Sequence, residues 1–181
     1  MPGLVVDRID HRSRRMAQRI LAIQLAAYKQ EAKLLGAAAF PALRRTCADI
    51  ENSNEHFFGG YLNRELVGVI ALEGAPTATE IRISSLVVAP VSQRRGVGRA
   101  LLSATVSEFA SKVLMVSTGA GNTPALALYA QFGFAEISRQ RVGPEALQVV
   151  LLCRPSSNHP AAAKPARRTQ CNGEGPSAPV R

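Results

Sequence analysis

Apolar residues near the start of the chain recur every three or four positions, which is the spacing of one face of an α-helix. Over residues 14–35 this face consists of Met16, Ile20, Ile23, Ala27 and Leu34. Gly36 supplies a stop for this helix, and Pro41 begins a second helical stretch that runs to about Asn52. The pattern therefore predicts two consecutive helices, the first of which packs an apolar face on a core.

The remainder of the chain alternates between short β-prone runs and two further helical segments. Strands are predicted at residues 4–6, 56–62, 66–74, 79–90, 112–118, 134–138 and 147–153. Helices are predicted at residues 97–110 and 124–132, and the latter ends at Gly133. The order is strand, two helices, three strands, helix, strand, helix, two strands. This order predicts a mixed α/β domain.

The last part of the chain differs in composition from the rest. Residues 155–181 are rich in Pro, Ala and Ser and contain almost no bulky apolar side chains. Such a segment cannot bury enough apolar surface to offset the entropy lost on ordering. We therefore expect one domain over residues 1–154 and a flexible basic tail over residues 155–181, with an interaction arm as the alternative role of the tail.

Composition supports one compact domain, because 46% of the 181 residues are apolar. No apolar run reaches the roughly 18 residues that cross a bilayer, and residues 1–3 do not begin a basic-then-apolar export signal, so we expect a cytoplasmic protein. The three cysteines are Cys47, Cys153 and Cys171. Their wide spacing forms neither a disulfide framework nor a metal site, so we expect free thiols and no metal.

The net charge of +9 raises the possibility of nucleic-acid binding. The basic residues are scattered, however, and aromatic residues make up only 5% of the chain, so stacking on bases has little support. A polyanionic small molecule would be drawn to the same basic surface. Nucleic-acid binding stays as a third hypothesis, which would require a steep dependence of affinity on salt.

A basic loop with two glycines connects the strand predicted at residues 79–90 to the helix at 97–110. It consists of Gln93, Arg94, Arg95, Gly96, Val97, Gly98 and Arg99. The first N–H groups of a helix have no internal acceptors, the helix dipole adds partial positive charge, and glycines allow close approach of a ligand. These features suit a phosphate group, although a tight turn with solvated arginines explains the same spacing.

The loop matches neither of two common nucleotide motifs. The dinucleotide pattern GxGxxG fails because Leu101 stands where its third glycine should be, and the Walker pattern fails because no Lys-Ser/Thr follows the glycines. Two other motifs flank the loop: LVVAP at residues 86–90 and NTPALALYAQFGF at residues 122–134. In this order, the three motifs resemble the GNAT superfamily of acyl-CoA-dependent N-acetyltransferases.

The family pattern is an apolar strand, then Q/R-x-x-G-x-G/A opening a helix, and later an Asn before a short helix with an aliphatic-Tyr pair and Gly-Phe. The resemblance covers roughly residues 3–154 and is strongest over residues 80–134. It implies a mixed, mostly antiparallel twisted sheet of about seven strands flanked by about four helices.

The resemblance also implies acetyl-CoA as co-substrate and an amine as acceptor. The pyrophosphate would bind the N–H groups between Arg94 and Arg99, and the pantetheine arm would lie along the fourth strand like an added strand. The strand partners of this arm would be main-chain groups of Leu86, Val87 and Val88. We predict that the N–H of Val88 polarises the thioester carbonyl. An ordinary buried strand is the alternative for these three residues.

Acetyl transfer requires an amine without its extra proton, a polarised carbonyl and a stabilised thiolate. The resemblance implies direct attack by the amine, and it makes Tyr129 the candidate general acid, with a core aromatic as the alternative. Asn122 either hydrogen-bonds the cofactor arm or caps a turn. Thr123 is predicted as the N-cap of the short helix and Pro124 as its first residue.

The general base is the least defined group. Some family members carry a Glu eleven positions before the Q/R, where this chain has Arg82, and others carry one on the fifth strand, where this chain has Ser117. Glu80 lies on the same face as Arg82 and could act through water, although a salt bridge at the strand end is the alternative. His56 and solvent are further candidates.

These observations predict an enzyme: an acetyl-CoA-dependent N-acetyltransferase that acts directly on a primary amine of a small molecule or protein, as a monomer or homodimer. The alternative is a non-catalytic acyl-CoA-binding or sensing module on the same fold. The absence of an acid at both customary base positions supports that alternative.

Overall fold

The computed structural model describes residues 3–38, 40–75, 77–143 and 146–157. Seven strands form one sheet in the order β1-β2-β3-β4-β5-β7-β6. The strands are β1 (Leu4–Ile9), β2 (His56–Leu62), β3 (Glu65–Glu73), β4 (Glu80–Val88), β5 (Val113–Gly119), β6 (Ala135–Val142) and β7 (Leu147–Arg154). The helices are α1 (Arg14–Leu35), α2 (Cys47–Glu51), α3 (Val97–Glu108) and α4 (Thr123–Gln131).

Every neighbouring pair of strands is antiparallel except β4 and β5, which are parallel. A parallel pair needs a crossover connection, and here α3 supplies it. The predicted α/β class, the order of elements and the mostly antiparallel sheet are therefore confirmed. From residue 158 onward, the predicted tail lies outside the described residues. Just before that point, Ser157 still donates its N–H to the Ala110 carbonyl at 2.8 Å.

Strand side chains alternate between the two faces of a sheet. In this sheet both faces carry apolar side chains, and helices cover both. The first cluster joins the sheet to α3 and α4 and includes Ile70, Leu101, Leu102, Leu114 and Tyr129. The second cluster joins the sheet to α1 and includes Ala17, Ile20, Phe57, Val69 and Val87. The inner strand β3 is buried at every position between its two end residues, as a strand covered on both faces must be.

The second predicted helix, over residues 41–52, is broken in the structure, which corrects the prediction. A 3₁₀ turn spans Pro41–Arg44, Arg45 is extended, and α2 begins anew at Cys47. The break is caused by Thr46, which forms a capping box with Asp49 and so starts a separate helix. By contrast, Gly36 ends α1 as predicted, with a left-handed φ of 64°.

The start of α3 lies very close to the sheet because two glycines face it. Gly60 of β2 and Gly68 of β3 are opposite each other in the register. A Cβ atom on Gly68 would lie 2.7 Å from Cγ1 of Val97, the first residue of α3. Val97 is only 1% exposed, and its branched side chain has little rotamer freedom. The glycine pair therefore sets how closely the first turn of α3 approaches the sheet.

We expect Gly68→Ala to destabilise the fold by about 1–3 kcal/mol, since the new methyl group would overpack against Val97. Chemical denaturation gives the free energy of unfolding. The double variant Gly68→Ala/Val97→Ala should lose less stability than the sum of the two single variants, because the shorter side chain makes room. Simple additivity of the two single variants would contradict this packing account.

Candidate functional site

A gap opens in the sheet between β4 and β5. The two strands pair only over residues 80–83 and 113–116. Beyond that point β4 remains paired with β3 as far as Val88, and β5 remains paired with β7 as far as Gly119. Within the described part of the chain, the edge of β4 that faces β5 therefore has no partner strand over residues 84–88.

Main-chain groups of β4 point into this gap at alternate residues. Ala89 donates its N–H to the Val67 carbonyl of β3 at 2.8 Å, and Val87 lies opposite Val69 of β3. Because successive residues of a strand direct their main-chain groups to opposite sides, Leu86 and Val88 direct theirs into the gap. Of the three residues predicted to bind the cofactor arm, Leu86 and Val88 therefore direct their main-chain groups into the gap. The main-chain groups of Val87 are paired with β3.

The basic loop lies at the end of the gap, where α3 begins. Gly96 is the N-cap residue, with a φ of 78°, and the first helical hydrogen bond runs from the Ala100 N–H to the Gly96 carbonyl at 2.9 Å. The amides of Val97, Gly98 and Arg99 therefore have no acceptor within the helix. The first turn of α3 contains no acidic residue. This terminus has the geometry and the charge that bind an anion.

Two residues of the loop also contact neighbouring elements. Gln93 donates from Nε2 to the Val88 carbonyl at 3.3 Å, at the end of β4. Arg99 donates from Nη1 to Oε1 of Gln131 at 2.7 Å, and its guanidinium lies 5.7 Å from the centre of the Phe132 ring. Arg94 and Arg95 are exposed. Arg99 thus joins α3 to α4, while the other two arginines face solvent beside the helix terminus.

Tyr129 lies on α4 and is almost fully buried, with 4% of its surface exposed. Its ring packs against Phe134 with 5.4 Å between ring centres. Tyr129 is therefore an aromatic residue of the core, which was the alternative to a catalytic role. Burial, followed by electrostatic interaction with Glu31 and Tyr28, raises the pKa of Tyr129 above its usual range. The phenol therefore stays protonated and is a hydrogen-bond donor over the physiological range of pH.

Polar side chains of α1 reach the gap, although the sequence did not indicate them. The Tyr28 hydroxyl lies 2.6 Å from Oγ of Ser85 on β4. Glu31 accepts a hydrogen bond from Nδ2 of Asn122 at 2.9 Å, and burial raises the pKa of this carboxyl despite that bond. Together with the buried Gln24, Tyr28 and Glu31 repeat at helical spacing on the sheet-facing side of α1. This row of polar side chains at helical spacing is the sequence feature that could have identified the contribution of α1 to the site.

Asn122 is also the N-cap of α4, because its Oδ1 accepts from the Ala125 N–H at 3.2 Å. The helix therefore begins at Thr123, one residue earlier than predicted, and Thr123 is not the cap. A side-chain amide has both an acceptor and donors, so Asn122 caps α4 with one end and binds Glu31 of α1 with the other. This residue links elements on the two faces of the sheet.

A cavity of about 770 Å³ lies on the α1 side of the sheet. Its wall consists of Tyr28, Ala42, Arg45, Ser53, Asn54, Glu55, His56, Glu73, Gly74, Ala75 and Ser84. The Glu55 carboxylate is buried in this wall, where it pairs with Arg45 and accepts a hydrogen bond from Oγ of Ser84. His56, a candidate base, is exposed and also lines the cavity.

Glu80, the other candidate base, is not near the gap-facing amides. It begins β4, eight residues before Val88, which at roughly 3.3 Å per residue corresponds to about 26 Å. Its carboxylate lies 4.0 Å from the Arg82 guanidinium, and both side chains are about half exposed. Glu80 therefore lies at the opposite end of β4 from the gap-facing amides and contacts Arg82, as the salt-bridge alternative predicts. Ser117 of β5 is exposed.

The described residues contain no group of three or more His, Cys, Asp or Glu side chains that could bind a metal ion. Cys47 and Cys153 are free thiols, and Cys171 lies outside the described residues. In the part of the chain that the structure covers, no helix combines the length and the apolar character needed to span a membrane.

The raised pKa of Tyr129 can be tested by titrating tyrosine absorbance. We expect the absorbance gained between about pH 8 and pH 11 to be the same in the wild type and in Tyr129→Phe, since a phenol with a pKa well above the reference value of about 10 does not ionise in that range. A smaller gain in the variant would show that Tyr129 ionises normally.

Comparisons with known proteins show which family the chain belongs to. The profile of the family described as Acetyltransferase (GNAT) family matches residues 14–134. UPF0157 protein YqkA of Bacillus subtilis (strain 168) is 39% identical over 132 residues, which are 72% of this chain and 38% of that protein. The chain thus spans about two fifths of the length of this curated relative.

Solved structures share the fold at low sequence identity. The ribosomal-protein-S18-alanine N-acetyltransferase from Escherichia coli superposes with a TM-score of 0.66 and 20% identity, over 88% of this chain and 97% of that one. The structure of yncA from Salmonella typhimurium with its cofactor acetyl-CoA gives a TM-score of 0.64 and 18% identity, over 91% and 99% of the two chains.

The family match covers well over half of the chain, and the sheet with its helices is the fold of the structural neighbours. The protein is therefore a member of the GNAT acetyltransferase family.

Proposed function

We propose that this protein is an acetyl-CoA-dependent N-acetyltransferase that transfers an acetyl group directly to a primary amine of a small molecule or a protein. The observation that carries the proposal is the gap between β4 and β5, which has an anion-binding helix terminus at one end. Ser84, the first residue of the unpaired stretch of β4, also lines the cavity on the α1 side of the sheet. The catalytic domain is residues 1–154. Action in the cytoplasm, as a monomer or homodimer and without a metal ion, is part of the proposal.

The cofactor would bind along the gap. Its pyrophosphate would accept hydrogen bonds from the amides of Val97, Gly98 and Arg99, and the exposed Arg94 and Arg95 would attract its charge. An added Cβ on Gly98 would lie 3.5 Å from Leu128 and 3.7 Å from Val88, so the space beside this glycine lies between β4 and α4. The pantetheine arm would then pair with β4 in the manner of an added strand.

Leu86 is better placed than Val88 to polarise the thioester carbonyl, which revises our prediction from sequence. Both amides face the gap, but Val88 is beside the basic loop, where Gln93 contacts its carbonyl. Leu86 is two residues nearer to Ser84, which lines the cavity. A thioester that meets an acceptor in the cavity would therefore lie on the amide of Leu86, while Val88 would hold the arm.

Tyr129 would donate a hydrogen bond to the sulfur as it leaves. The conjugate acid of a thiolate has a pKa of about 8.5. Because the pKa of Tyr129 is raised above its usual range, complete transfer of its proton to the thiolate is unfavourable. A donated hydrogen bond to developing negative charge in a buried site is strongly stabilising. We therefore assign Tyr129 the role of hydrogen-bond donor rather than that of an acid which gives up its proton.

The structural neighbours support the proposal at the level of the cofactor and the kind of acceptor. The Salmonella structure contains acetyl-CoA as its cofactor, and the Escherichia coli enzyme is named for acetylating an alanine of a ribosomal protein. The alternative, a non-catalytic acyl-CoA-binding module, is favoured by Arg82 and Ser117 at the customary positions of a base. Binding of acetyl-CoA without turnover on any amine would establish that alternative.

The direct test of function is incubation with acetyl-CoA and a panel of primary amines, including a peptide with a free N-terminus. We expect release of free thiol and the mass of an acetylated amine. Calorimetry should detect acetyl-CoA binding near neutral pH, and its complete absence would eliminate the proposal.

Gly98→Glu should abolish binding of acetyl-CoA, because the substitution adds bulk and a negative charge where the pyrophosphate would lie. Calorimetry measures the affinity. Ser103→Glu is the control, because it adds the same charge to an exposed position of α3 away from the terminus; its affinity should match the wild type. If Gly98→Glu bound acetyl-CoA as tightly as the wild type, the phosphate position would be wrong.

Tyr129→Phe should lower kcat about 10- to 100-fold, since a hydrogen bond to a charged group is worth about 1.5–3 kcal/mol. The Kd for acetyl-CoA should change little, because the bond strengthens only as the thiolate forms. Tyr61→Phe, a tyrosine of β2, serves as the control for loss of a phenol elsewhere. An unchanged kcat in Tyr129→Phe would remove its role in turnover.

A further inference from the structure

We infer that the cavity beside β4 is the acceptor site and that Glu55 is the catalytic residue that takes the proton from the attacking amine. The inference rests on the proposed function and adds to it the group that sequence reasoning could not identify. It is carried by the position, burial and partners of this one carboxylate.

Glu55 is a fixed carboxylate in the cavity wall. Only 9% of its side chain is exposed, and it lies immediately before β2. Arg45 pairs with Oε2, and Oγ of Ser84 donates to Oε1. The Arg45 guanidinium is itself held 5.8 Å from the centre of the Phe57 ring. A carboxylate can be buried at this depth only when it is paired and hydrogen-bonded, and these partners also fix its direction.

The carboxylate keeps the capacity to bind an amine. Each oxygen of an ionised carboxylate has two lone pairs. Oε1 receives at most one proton from Ser84, and the Ala71 carbonyl, 3.2 Å from the same hydroxyl, competes for that proton. Glu55 faces the cavity. An N–H group of an amine in the cavity could therefore be accepted at Oε1 without breaking the ion pair with Arg45.

The bulge in β4 brings Glu55 to the part of the strand where the thioester would lie. Ser84 is the extra residue of this bulge, since Ser85 lies opposite Ala71 and Ile83 lies opposite Leu72. Leu86, the proposed carbonyl-binding residue, is only two residues further, or about 6.6 Å along the strand. The attacking nitrogen would lie between the two groups, within hydrogen-bond reach of Oε1 of Glu55 and next to the acetyl carbon held at Leu86.

The other carboxylates near the site are less suitable. Glu73 also lines the cavity but is exposed at its rim. Glu31 is hydrogen-bonded to Asn122 of α4 and is not part of the cavity wall. Glu80 lies at the far end of β4. Glu55 therefore combines burial, a fixed direction and contact with the cavity.

The chemical step is balanced with these groups. The acceptor arrives as an ammonium ion and loses one proton to solvent through the open cavity. The nitrogen then attacks the acetyl carbon, the C–N bond forms, and the nitrogen becomes acidic and gives its second proton to Oε1 of Glu55. The C–S bond breaks, its electron pair leaves with sulfur, and Tyr129 donates a hydrogen bond to that sulfur. Glu55 then releases its proton to solvent, and the thiolate takes one up.

The test compares turnover in Glu55→Gln with that of the wild type, using 1,4-diaminobutane, a lysine methyl ester and a peptide with an N-terminal alanine as probe amines. We expect kcat to fall about 100- to 10,000-fold, with the Kd for acetyl-CoA unchanged. Glu108→Gln is the matched control, because Glu108 is also paired with an arginine, Arg8, but lies on α3 away from the cavity. Its kcat should stay within about twofold of the wild type.

A double variant separates chemistry from the loss of an ion pair. If Glu55→Gln were slow only because Arg45 lost its partner, then Arg45→Gln/Glu55→Gln should recover the rate. We expect no recovery. Should Glu55→Gln fail to fold, Glu55→Asp decides, since it keeps the charge but withdraws the carboxylate by one methylene, and its kcat should still fall.

Two results would overturn this inference and leave the proposed function intact. One is recovery of the rate in the double variant. The other is a kcat within about threefold of the wild type in Glu55→Gln or in Glu55→Asp. If the wild type did not bind acetyl-CoA, or bound it without turnover on these probes and on the whole amine panel, the proposed function would fail, and this inference would fail with it.

Discussion

The parting of β4 from β5 is the feature on which the site depends. Main-chain N–H and C=O groups that are withdrawn from water need partners. Among the residues that the structure describes, no strand pairs with the inner edge of β4 over residues 84–88. Leu86 and Val88 thus present a short ladder of donors and acceptors in the middle of a sheet rather than at its outer edge. A linear ligand rich in amide groups is the natural partner for such a ladder, and pantetheine has this chemistry.

Packing on both faces of the sheet keeps the gap in place. On one face, the glycine pair at Gly60 and Gly68 lets Val97 approach the strands, and this contact positions the first turn of α3 at the end of the gap. From the other face, Glu31 of α1 reaches Asn122 of α4. The helix terminus that would bind phosphate and the tyrosine that would face sulfur are therefore held by the same core that stabilises the fold.

Charge is distributed in two distinct ways. The whole chain carries a net charge of +9, and two exposed arginines lie beside the α3 terminus, which favours approach of a polyanion. Near the gap, by contrast, the carboxyl groups of Glu31 and Glu55 have defined partners: Glu31 accepts from Asn122, and Glu55 pairs with Arg45. The long-range field would attract the polyanionic cofactor, whereas these local carboxyl oxygens would accept N–H groups of the amine.

Sequence alone determined the order of the elements, the class of the fold and the position of the loop. These depend on local physics: apolar periodicity identifies α1 and β3, Gly36 ends a helix, and Gly96 precedes the first residue of α3. The local signal failed where a polar side chain overrode it, as when the Thr46 capping box broke the predicted second helix. The predicted start of α4 was also wrong by one residue, because Asn122 and Thr123 are adjacent and both are residue types that cap helices.

Only the tertiary structure decided which side chains share the site. Tyr28, Glu31 and Glu55 lie far along the chain from β4, and no spacing rule connects them to it; the packing of α1 and the bulge at Ser84 bring them there. The same geometry places Glu80, which is close to the motifs in sequence, at the far end of its strand. Strand pairing also directs the main-chain groups of Val87 to β3, whereas those of Leu86 and Val88 face the gap. Sequence patterns report local periodicity, whereas a site is an arrangement in space that depends on register and packing.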